Sequence, residues 1–560
     1  MNGPARKFTN YRVAAGHLAR KWTDPRGWVA AILMVFGWYL LVYLIVRPLA
    51  DAPVADSWVY SNAVDFFRRN GSIRFAGYSQ ATPLLQVLYG AAWSRVFGVG
   101  AASLDLSVAM LGALGGLCFY ALARRCGARG WGAILATALL IANPCYLYMS
   151  FSFMTEIPFL ALLLGAHLAF SCAREDESRW LWPSALLAAL AFMVRPFAAA
   201  AMVGSAVAVL ITERAKRRPI ISGHTIKMIA PFAAGSLLCM LGWIWLTRFN
   251  PEPWMLRQSE GKLAQFFDVS PAIYVGGGLI GPLFYLGVVL SPMALPHLLS
   301  ASWRKGIVIA ASLMAIALVS MRLAAKLPAT PELSCFGGWR NALLLRGLPN
   351  TFAWHDGSTH AAAMILAALG AAGLILAASN LPRPMRPATL AVILTAAIYW
   401  LGLIPLWFFN DRYYLVLVPA ACLMLALAPP ERMAGRVAAI TGVIVLALIS
   451  LAGVDDHQRA LGTVAAIRDD LERSGVARSD IDAGYALNGG DLYHENPTVI
   501  ERWGTAPRIP MITSDALARF TIAAAPVEGT RVIRRAPWPG PLGCDGRGIY
   551  VLERTTNGKP

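Results

Sequence analysis

Long runs of apolar residues dominate this sequence, and short polar segments separate them. An α-helix rises about 1.5 Å per residue, so roughly 20 apolar residues cross the hydrocarbon core of a bilayer. The runs lie near 28–49, 102–123, 131–149, 157–173, 181–199, 199–212, 227–247, 273–295, 306–322, 360–379, 388–408, 412–428 and 437–454. The pattern predicts an all-α polytopic membrane protein with about 13 transmembrane helices.

The composition agrees with a membrane protein. Of the 560 residues, 57% are hydrophobic and only 14% are charged, whereas a soluble domain carries about 25% charged residues. The formal net charge of +18 raises the question of nucleic-acid binding. The basic residues punctuate apolar runs and form no single patch, so the positive-inside rule explains them and we expect no nucleic-acid partner.

The distribution of basic residues also predicts the orientation of the chain. If the N-terminal segment is cytoplasmic, every short cytoplasmic loop is basic, as the positive-inside rule requires. These loops contain Arg124, Arg125 and Arg129, then Arg174 and Arg179, then Arg214, Lys216, Arg217 and Arg218, then Arg304 and Lys305, then Arg383 and Arg386, and finally Arg432 and Arg436. The segments 50–101, 248–272, 323–359 and everything after about residue 455 are then external.

Three parts follow from this topology: a cytoplasmic segment 1–27, a transmembrane domain 28–454 and an extracytoplasmic domain 455–560. In the last part, residues 457–474 read as a helix. Short strands, separated by glycine and proline turns, are predicted at 483–487, 520–525, 531–535 and 548–553. We therefore expect a small C-terminal α/β domain.

The first external loop holds the most informative residue, Asp56. An aromatic-rich amphipathic helix is predicted from Trp58 to Phe67, and a second helix from Thr82-Pro83 to Phe97. Asp56 follows the first span closely, and a carboxyl group partly buried against aromatic side chains would have a raised pKa suited to a general base. The alternative is that Asp56 only caps the helix that starts at Ser57.

Three further segments on the same predicted side contain charged residues. Glu156 opens a helix at Thr155-Glu156-Ile157-Pro158, Arg195 lies near the external end of an apolar run, and Arg412-Tyr413 follows Asp411. An arginine can grip a phosphate with two hydrogen bonds, so we expect Arg195 to bind phosphate and Arg412-Tyr413 to bind phosphate or sugar. Glu156 is a further candidate for substrate binding. The structural alternatives are a helix-start acid for Glu156, snorkelling to the interface for Arg195, and an interfacial aromatic belt with a local Asp–Arg pair for residues 411–414.

Evidence for metal ligands or disulfides is weaker. His355, Asp356 and His360 in an external loop could hold a metal, but their spacing is not specific. Of the eight cysteines, Cys335 and Cys544 alone fall in predicted external regions, and whether they pair is open.

In their order, these segments resemble GT-C membrane glycosyltransferases. The first-loop pattern is Asp56-Ser57-Trp58-x-Tyr60, Asn70-Gly71, Thr82-Pro83-Leu84 and Phe97-Gly98. The later landmarks are Met154-Thr155-Glu156-Ile157-Pro158, Arg195-Pro196 and Arg412-Tyr413 with Pro419. The branch that it resembles most is the bacterial protein-mannosyltransferase and aminoarabinose-transferase group.

The resemblance implies sugar transfer from a polyprenyl-phosphate donor to an envelope glycan, lipid or protein acceptor. It implies a multi-pass inner or plasma membrane protein whose active site and C-terminus are extracytoplasmic, with Asp56 as the catalytic acid of the first loop. Ser57 stands where many members have a second acid, and Gln80-Ala81-Thr82 replaces the Glu-Lys pair of aminoarabinose transferases. The donor sugar and a divalent metal cofactor therefore remain open.

Two other functions are consistent with a polytopic protein. A lipid-linked sugar transporter or flippase would usually show repeated halves and ionisable residues near mid-membrane. Here the candidate residues are predicted at one face and no repeat is evident. A scaffold in an envelope-polymer assembly would leave Asp56 dispensable.

The topology makes a direct prediction. A reporter enzyme that is active only outside the cytoplasm should be active when fused at Gly490, because the predicted inside loops are basic and about 13 spans are predicted. A reporter signal specific to the cytoplasm would show that a span was miscounted.

Overall fold

The computed structural model describes most of the membrane part and the elements of the C-terminal domain. The described residues are 25–47, 52–54, 56–73, 83–173, 178–219, 222–249, 274–298, 303–324, 357–406, 411–430, 432–484, 486–489, 518–523, 526, 529–537, 539–541 and 548–555.

The described chain is mainly helical, and each of the predicted apolar runs contains helix. The α-helices are α1 Pro25–Val46, α2 Ser57–Asn70, α3 Leu84–Phe97, α4 Ala101–Cys126, α5 Gly130–Ile141, α6 Pro144–Ser150, α7 Glu156–Cys172, α8 Leu181–Phe192, α9 Ala199–Ala215, α10 Gly223–Phe249, α11 Gly281–Ala294, α12 Trp303–Ala324, α13 Gly357–Ser379, α14 Pro387–Leu403, α15 Asp411–Tyr414, α16 Val418–Leu427 and α17 Met433–Arg473. The prediction of an all-α polytopic membrane protein is confirmed.

The predicted number of spans is not confirmed. Among the described residues, seven helices are long and apolar enough to cross a membrane, or eight if the bent pair α5 and α6 forms one span. Three further apolar helices are shorter than a full span. Apolar character therefore located the helices better than it fixed how many of them cross the bilayer.

The bend between α5 and α6 shapes the region that leads to Glu156. The two helices meet at 64°. Pro144 opens α6, and the Asn143 side chain caps it by accepting a hydrogen bond from the Tyr146 amide at 3.0 Å. Helix α6 ends at Ser150, and the following turn carries the chain to α7, whose first residue is Glu156.

The segment predicted to be the first external loop contains two helices, as expected. Helix α2 buries Trp58, Tyr60 and Val64, and it ends before Gly71, whose φ of +68° suits glycine. Helix α3 starts at Leu84 after Pro83, while Thr82, the predicted start, lies outside the described residues. The two helices pack closely, because a Cβ at Gly90 of α3 would meet Val64 at 2.8 Å.

Helix α17 joins the membrane part to the C-terminal domain without a break. It contains 41 residues, so the predicted helix 457–474 is the last part of a longer one. The predicted domain boundary at residues 454 and 455 falls inside α17, and the division into domains stays a prediction. Polar residues follow the apolar run, and the helix continues through Gly453 into them.

Four strands pack against the end of α17: β1 Ile481–Asp482, β2 Phe520–Ala523, β3 Thr530–Pro537 and β4 Gly548–Arg554. The sheet order is β1-β2-β4-β3, with β1 parallel to β2 and the other pairs antiparallel. The small C-terminal α/β domain is therefore confirmed. Its apolar core includes Ala460, Val464 and Ile467 of α17, which recur at helical spacing.

The predicted strand at 483–487 is wrong. The strand β1 ends at Asp482, the chain turns at Gly484 with φ +89°, and residues 486–489 form a helical turn. The reason is local: the Asp482 carboxylate accepts hydrogen bonds from the Gly484 amide at 3.0 Å and from the Asn488 side chain at 2.7 Å. These bonds stabilise a turn in place of an extended ladder.

Candidate functional site

The five residues that the sequence singled out lie together. Asp56 precedes α2, Glu156 opens α7, Arg195 follows α8, and Arg412 and Tyr413 belong to α15. Ion pairs connect the four charged residues. Segments that are far apart in the sequence therefore build one charged cluster beside the helices of the first external loop.

Asp56 contacts an arginine and does not cap its own helix. The Asp56 side chain makes no capping hydrogen bond to α2. Its Oδ2 atom accepts a hydrogen bond from Arg412 Nη1 at 2.8 Å. The alternative interpretation of Asp56 as a capping residue is therefore not supported by its side-chain geometry.

Glu156 is the most deeply buried of the four charged side chains, at 2% exposure. Its Oε1 atom lies 3.3 Å from Arg195 Nη1 and 3.6 Å from Arg412 Nε. These are ion pairs, and among the described residues neither carboxylate oxygen has a hydrogen-bond partner. Thr155, the predicted N-cap, makes no capping bond with its side chain. Helix position alone thus does not account for Glu156, because two guanidinium groups surround it.

Arg195 is buried rather than directed to an interface. Its side chain is 8% exposed and pairs with Glu156. The residue sits between the end of α8 and the short 3₁₀ helix Pro196–Ala198, and its amide donates to the Ala191 carbonyl at 2.9 Å. A charge held this far from water needs a partner, and Glu156 supplies it.

Arg412 bridges the cluster, and Tyr413 lines it. The Tyr413 ring centroid lies 5.1 Å from the Arg195 guanidinium carbon and 5.3 Å from that of Arg412. Both distances are within the range of a cation–π interaction. The predicted local pair of Arg412 with Asp411 involves a side chain outside the described part of the structure.

Two tyrosines that had no assigned role in the sequence analysis, Tyr60 and Tyr399, complete the site. Tyr60 lies on α2, one turn beyond Asp56, and burial raises the pKa of its phenol, with further contributions from the Asp56 and Glu156 carboxylates. Tyr399 donates a hydrogen bond to the Tyr413 carbonyl at 2.9 Å. The spacing of Tyr60 from Asp56 was a detectable signal, whereas nothing near Tyr399 in the sequence marked it.

The cluster combines opposite charges with unequal access to water. Its two carboxylates and two guanidinium groups balance formally, which lowers the cost of holding them together in a buried place. The Asp56 side chain is 24% exposed and Glu156 only 2%. Asp56 is therefore the carboxylate that an incoming molecule can reach.

The described residues offer no evident metal centre. No group of three or more histidine, cysteine, aspartate and glutamate side chains suited to a metal occurs among them. His355 and Asp356 lie outside the described residues, and so does the side chain of His360. The structure describes six of the eight cysteines, and none of those six forms a disulfide, while Cys335 and Cys544 fall outside its described part.

A family comparison agrees with the motifs. Residues 82–245 match the family described as dolichyl-phosphate-mannose-protein mannosyltransferase. The chain resembles the GT-C membrane glycosyltransferases. The matched segment contains Glu156 and Arg195, whereas Asp56 and Arg412 lie outside it. No curated protein matches the sequence.

Solved structures of this kind are also similar to the chain. The crystal structure of ArnT from Cupriavidus metallidurans bound to undecaprenyl phosphate shares 14% identity over 94% of this chain and 99% of ArnT, with a TM-score of 0.40. The archaeal oligosaccharyltransferase AglB from Archaeoglobus fulgidus, in complex with an inhibitory peptide and a dolichol-phosphate, shares 11% identity over 88% of this chain and 69% of AglB, with a TM-score of 0.38.

A third similar structure is the S. cerevisiae protein O-mannosyltransferase Pmt1-Pmt2 complex bound to the sugar donor. It shares 16% identity over 40% of this chain, with a TM-score of 0.30. The similar region spans only 33% of that yeast chain.

The burial of Glu156 predicts its contribution to stability. Glu156→Gln removes the negative charge that faces Arg195 and Arg412. Breaking a buried pair in this way typically costs about 3–5 kcal/mol, so we expect a clearly lower thermal unfolding midpoint in detergent.

Asp65→Asn is the matched control, because Asp65 pairs with the exposed Arg69 one turn along α2. A surface pair of this kind contributes about 0–1 kcal/mol. Equal midpoints for the two variants would show that the buried pair does not stabilise the fold.

Proposed function

We propose that the protein is a glycosyltransferase that acts at the outer face of the membrane. It would move a sugar from a polyprenyl-phosphate donor to an envelope glycan, lipid or protein acceptor. The observation that carries the proposal is the 2.8 Å contact between Asp56 and Arg412. It brings a carboxylate that can accept a proton next to a guanidinium group that can bind a phosphate.

The proposed reaction is a single displacement. The acceptor hydroxyl attacks the anomeric carbon of the donor sugar, and its proton passes to the Asp56 carboxylate. The bond from the anomeric carbon to the phosphate oxygen breaks, and polyprenyl phosphate leaves with the electron pair. Arg412 and Arg195 stabilise the negative charge that develops on the leaving phosphate.

Exposure supports Asp56 over Glu156 as the base. A general base has to come within hydrogen-bond reach of the acceptor hydroxyl. Glu156 is nearly inaccessible and contacts both arginines, while about a quarter of the Asp56 side chain is exposed, at 24%. Glu156 is better suited to hold Arg195 and Arg412 in place, with Tyr413 forming the wall beside them.

Arg412 links donor binding to the activation of the base. Asp56 and a donor phosphate would both seek the Arg412 guanidinium. As the phosphate engages Arg412, the positive charge near Asp56 is shared with a second anion. The Asp56 carboxylate then becomes a stronger base when the donor is in place.

A lipid-linked donor also accounts for the location of the cluster. Asp56 and Tyr60 belong to the loop that follows α1, and Glu156, Arg195 and Arg412 lie at ends of apolar helices. A polyprenyl tail would remain among the apolar helices while its phosphate and sugar reach the charged groups. A soluble nucleotide-sugar donor would not need a site at this boundary.

Replacing the base tests the catalytic role. Asp56→Asn keeps the shape of the side chain but removes its ability to accept a proton, and loss of a general base typically lowers the rate about 10²–10⁴-fold. The measurement is transfer from a polyprenyl-phosphate-sugar donor by purified protein in lipid nanodiscs.

The matched control is Asp65→Asn, an acid on the same helix that pairs with Arg69. We expect this variant to retain activity close to that of the wild type. Wild-type turnover by Asp56→Asn would remove Asp56 from the mechanism, and a transporter without transferase activity would show no transfer with any variant.

Replacing Arg412 or Arg195 by lysine should lower kcat/KM for the donor, and replacement by alanine should lower it further. Arg412→Lys keeps the charge but loses the paired hydrogen bonds, and Arg412→Ala loses both. A charged hydrogen bond contributes roughly 1.5–3 kcal/mol, so we expect a loss of about tenfold to hundredfold in kcat/KM for the donor. Arg195→Lys and Arg195→Ala should follow the same order.

Arg69→Ala serves as a control because Arg69 is an exposed arginine of the same loop, with 71% of its side chain exposed. Unchanged donor kinetics in both Arg195→Ala and Arg412→Ala would redirect the search to Arg248, at the exposed end of α10, and to Arg257 and Lys262 outside the described residues.

A further inference from the structure

The C-terminal domain contacts the first external loop on both sides of Asp56. Ala52, four residues before Asp56, belongs to the apolar core of the C-terminal domain together with Ala460, Leu487 and Phe520. Trp58, two residues after Asp56, is fully buried and contacts Gly489 of the C-terminal domain. The two contacts bracket the turn that presents the Asp56 carboxylate.

The second contact depends on a glycine. Gly489 is buried and lies against the indole ring of Trp58. A Cβ at position 489 would lie 2.7 Å from both Cδ2 and Cζ2 of that ring, which is closer than real Cβ atoms approach. Only glycine therefore lets this backbone meet Trp58.

The turn that carries Gly489 is itself firmly held. Leu487 is buried in the domain core, and the Asn488 side chain bonds to Asp482 at 2.7 Å. The Asn488 Oδ1 atom also accepts a hydrogen bond from the Ala483 amide at 2.8 Å. A turn with this many internal bonds is a rigid support for the tryptophan.

Hydrogen bonds also hold the turn around Asp56 that leads into Trp58. The Val54 amide donates to Ser57 Oγ at 2.8 Å, and the Ser57 amide donates to the Val54 carbonyl at 3.0 Å. The Val59 amide donates to the Asp56 carbonyl at 3.0 Å. A displacement of Trp58 would therefore be transmitted through this turn to Asp56.

The domain as a whole is fixed to the membrane helices. Helix α17 runs into it without a break, and its His457 Nε2 lies 2.9 Å from the Tyr148 hydroxyl of α6. At Gly540 a Cβ would meet the Cα of the buried Asp456 at 2.7 Å. Gly489 thus belongs to a domain that contacts α6 directly and that α17 enters without a break.

We propose that Gly489 and Trp58 are positioning residues, through which the C-terminal domain sets the place of Asp56 relative to Arg412. The domain would then be a working part of the active site and not a dispensable cap. This inference rests on the proposed transferase function, since the role of Asp56 does.

Gly489→Ala is the decisive variant. The added methyl group displaces the Trp58 ring, and a displacement of about 1 Å at a catalytic group can lower turnover up to roughly a hundredfold. We expect kcat to fall about tenfold to hundredfold while the donor KM changes little, because the phosphate-binding arginines are not touched. Gly462→Ala is the matched control, since Gly462 lies on α17 with nothing within 4 Å of an added Cβ.

Rescue separates positioning from simple damage to the domain. Trp58→Phe removes the outer part of the indole, so Gly489→Ala/Trp58→Phe should recover kcat relative to Gly489→Ala, with Trp58→Phe alone closing the double-mutant cycle. Wild-type kcat in Gly489→Ala, or a loss that Trp58→Phe does not relieve, would overturn the proposal.

An activity-independent measurement keeps the two proposals distinguishable. Amide hydrogen exchange in the first turn of α2, at residues 57–60, should be faster in Gly489→Ala than in Gly462→Ala. Faster exchange in a protein without transfer activity would support the contact and reject the proposed function. If the wild type transfers sugar but both variants show equal exchange and equal kcat, the proposed function is supported and the positioning role of Gly489 and Trp58 is rejected.

Discussion

The buried ion pairs of Glu156 are the interaction on which the rest of the candidate site depends. A carboxylate at 2% exposure is costly to keep charged, and it is tolerated here because Arg195 and Arg412 lie 3.3 and 3.6 Å away. In turn Glu156 allows two guanidinium groups to remain close together without water. Arg412 faces Glu156 with its Nε atom, and its Nη1 atom donates a hydrogen bond to Asp56. The arrangement explains how one accessible acid can be placed beside a strong cation in an otherwise apolar protein.

Helix ends provide the setting for this cluster. Glu156 is the first residue of α7, Arg195 lies between α8 and a 3₁₀ helix, and Arg412 belongs to a single turn, α15, between longer segments. Breaks in helices expose backbone groups and let side chains approach from several directions. The 64° bend at Pro144 is a further break, and it lies directly before the turn that leads to Glu156. Apolar helices thus form the scaffold, and the interruptions between them hold the polar residues.

The C-terminal domain completes the surroundings of Asp56. Its apolar core includes Ala52 of the first loop, and its Gly489 lies against Trp58. The long helix α17 makes this arrangement possible, because a helix without a break transmits orientation over its 41 residues. Separate domains on a flexible linker would not hold a loop residue in register with an arginine of α15.

The sequence by itself determined the helices and the identity of the candidate residues. Apolar length and turn-forming residues such as Gly71 and Pro83 act locally, so they located α2 and α3 within a few residues and placed helix in each apolar run. The predicted strand at 483–487 failed because the Asp482 carboxylate bonds to its own neighbours, and the helix 457–474 was not recognised as part of α17. The number of spans also stayed open, since short and bent helices do not reveal from composition whether they cross. Only the tertiary structure decided that Asp56 meets Arg412, 356 positions away, and that Gly489 meets Trp58. The reason is physical: charge pairing and close packing depend on how helices are arranged in space, and no local pattern encodes that arrangement.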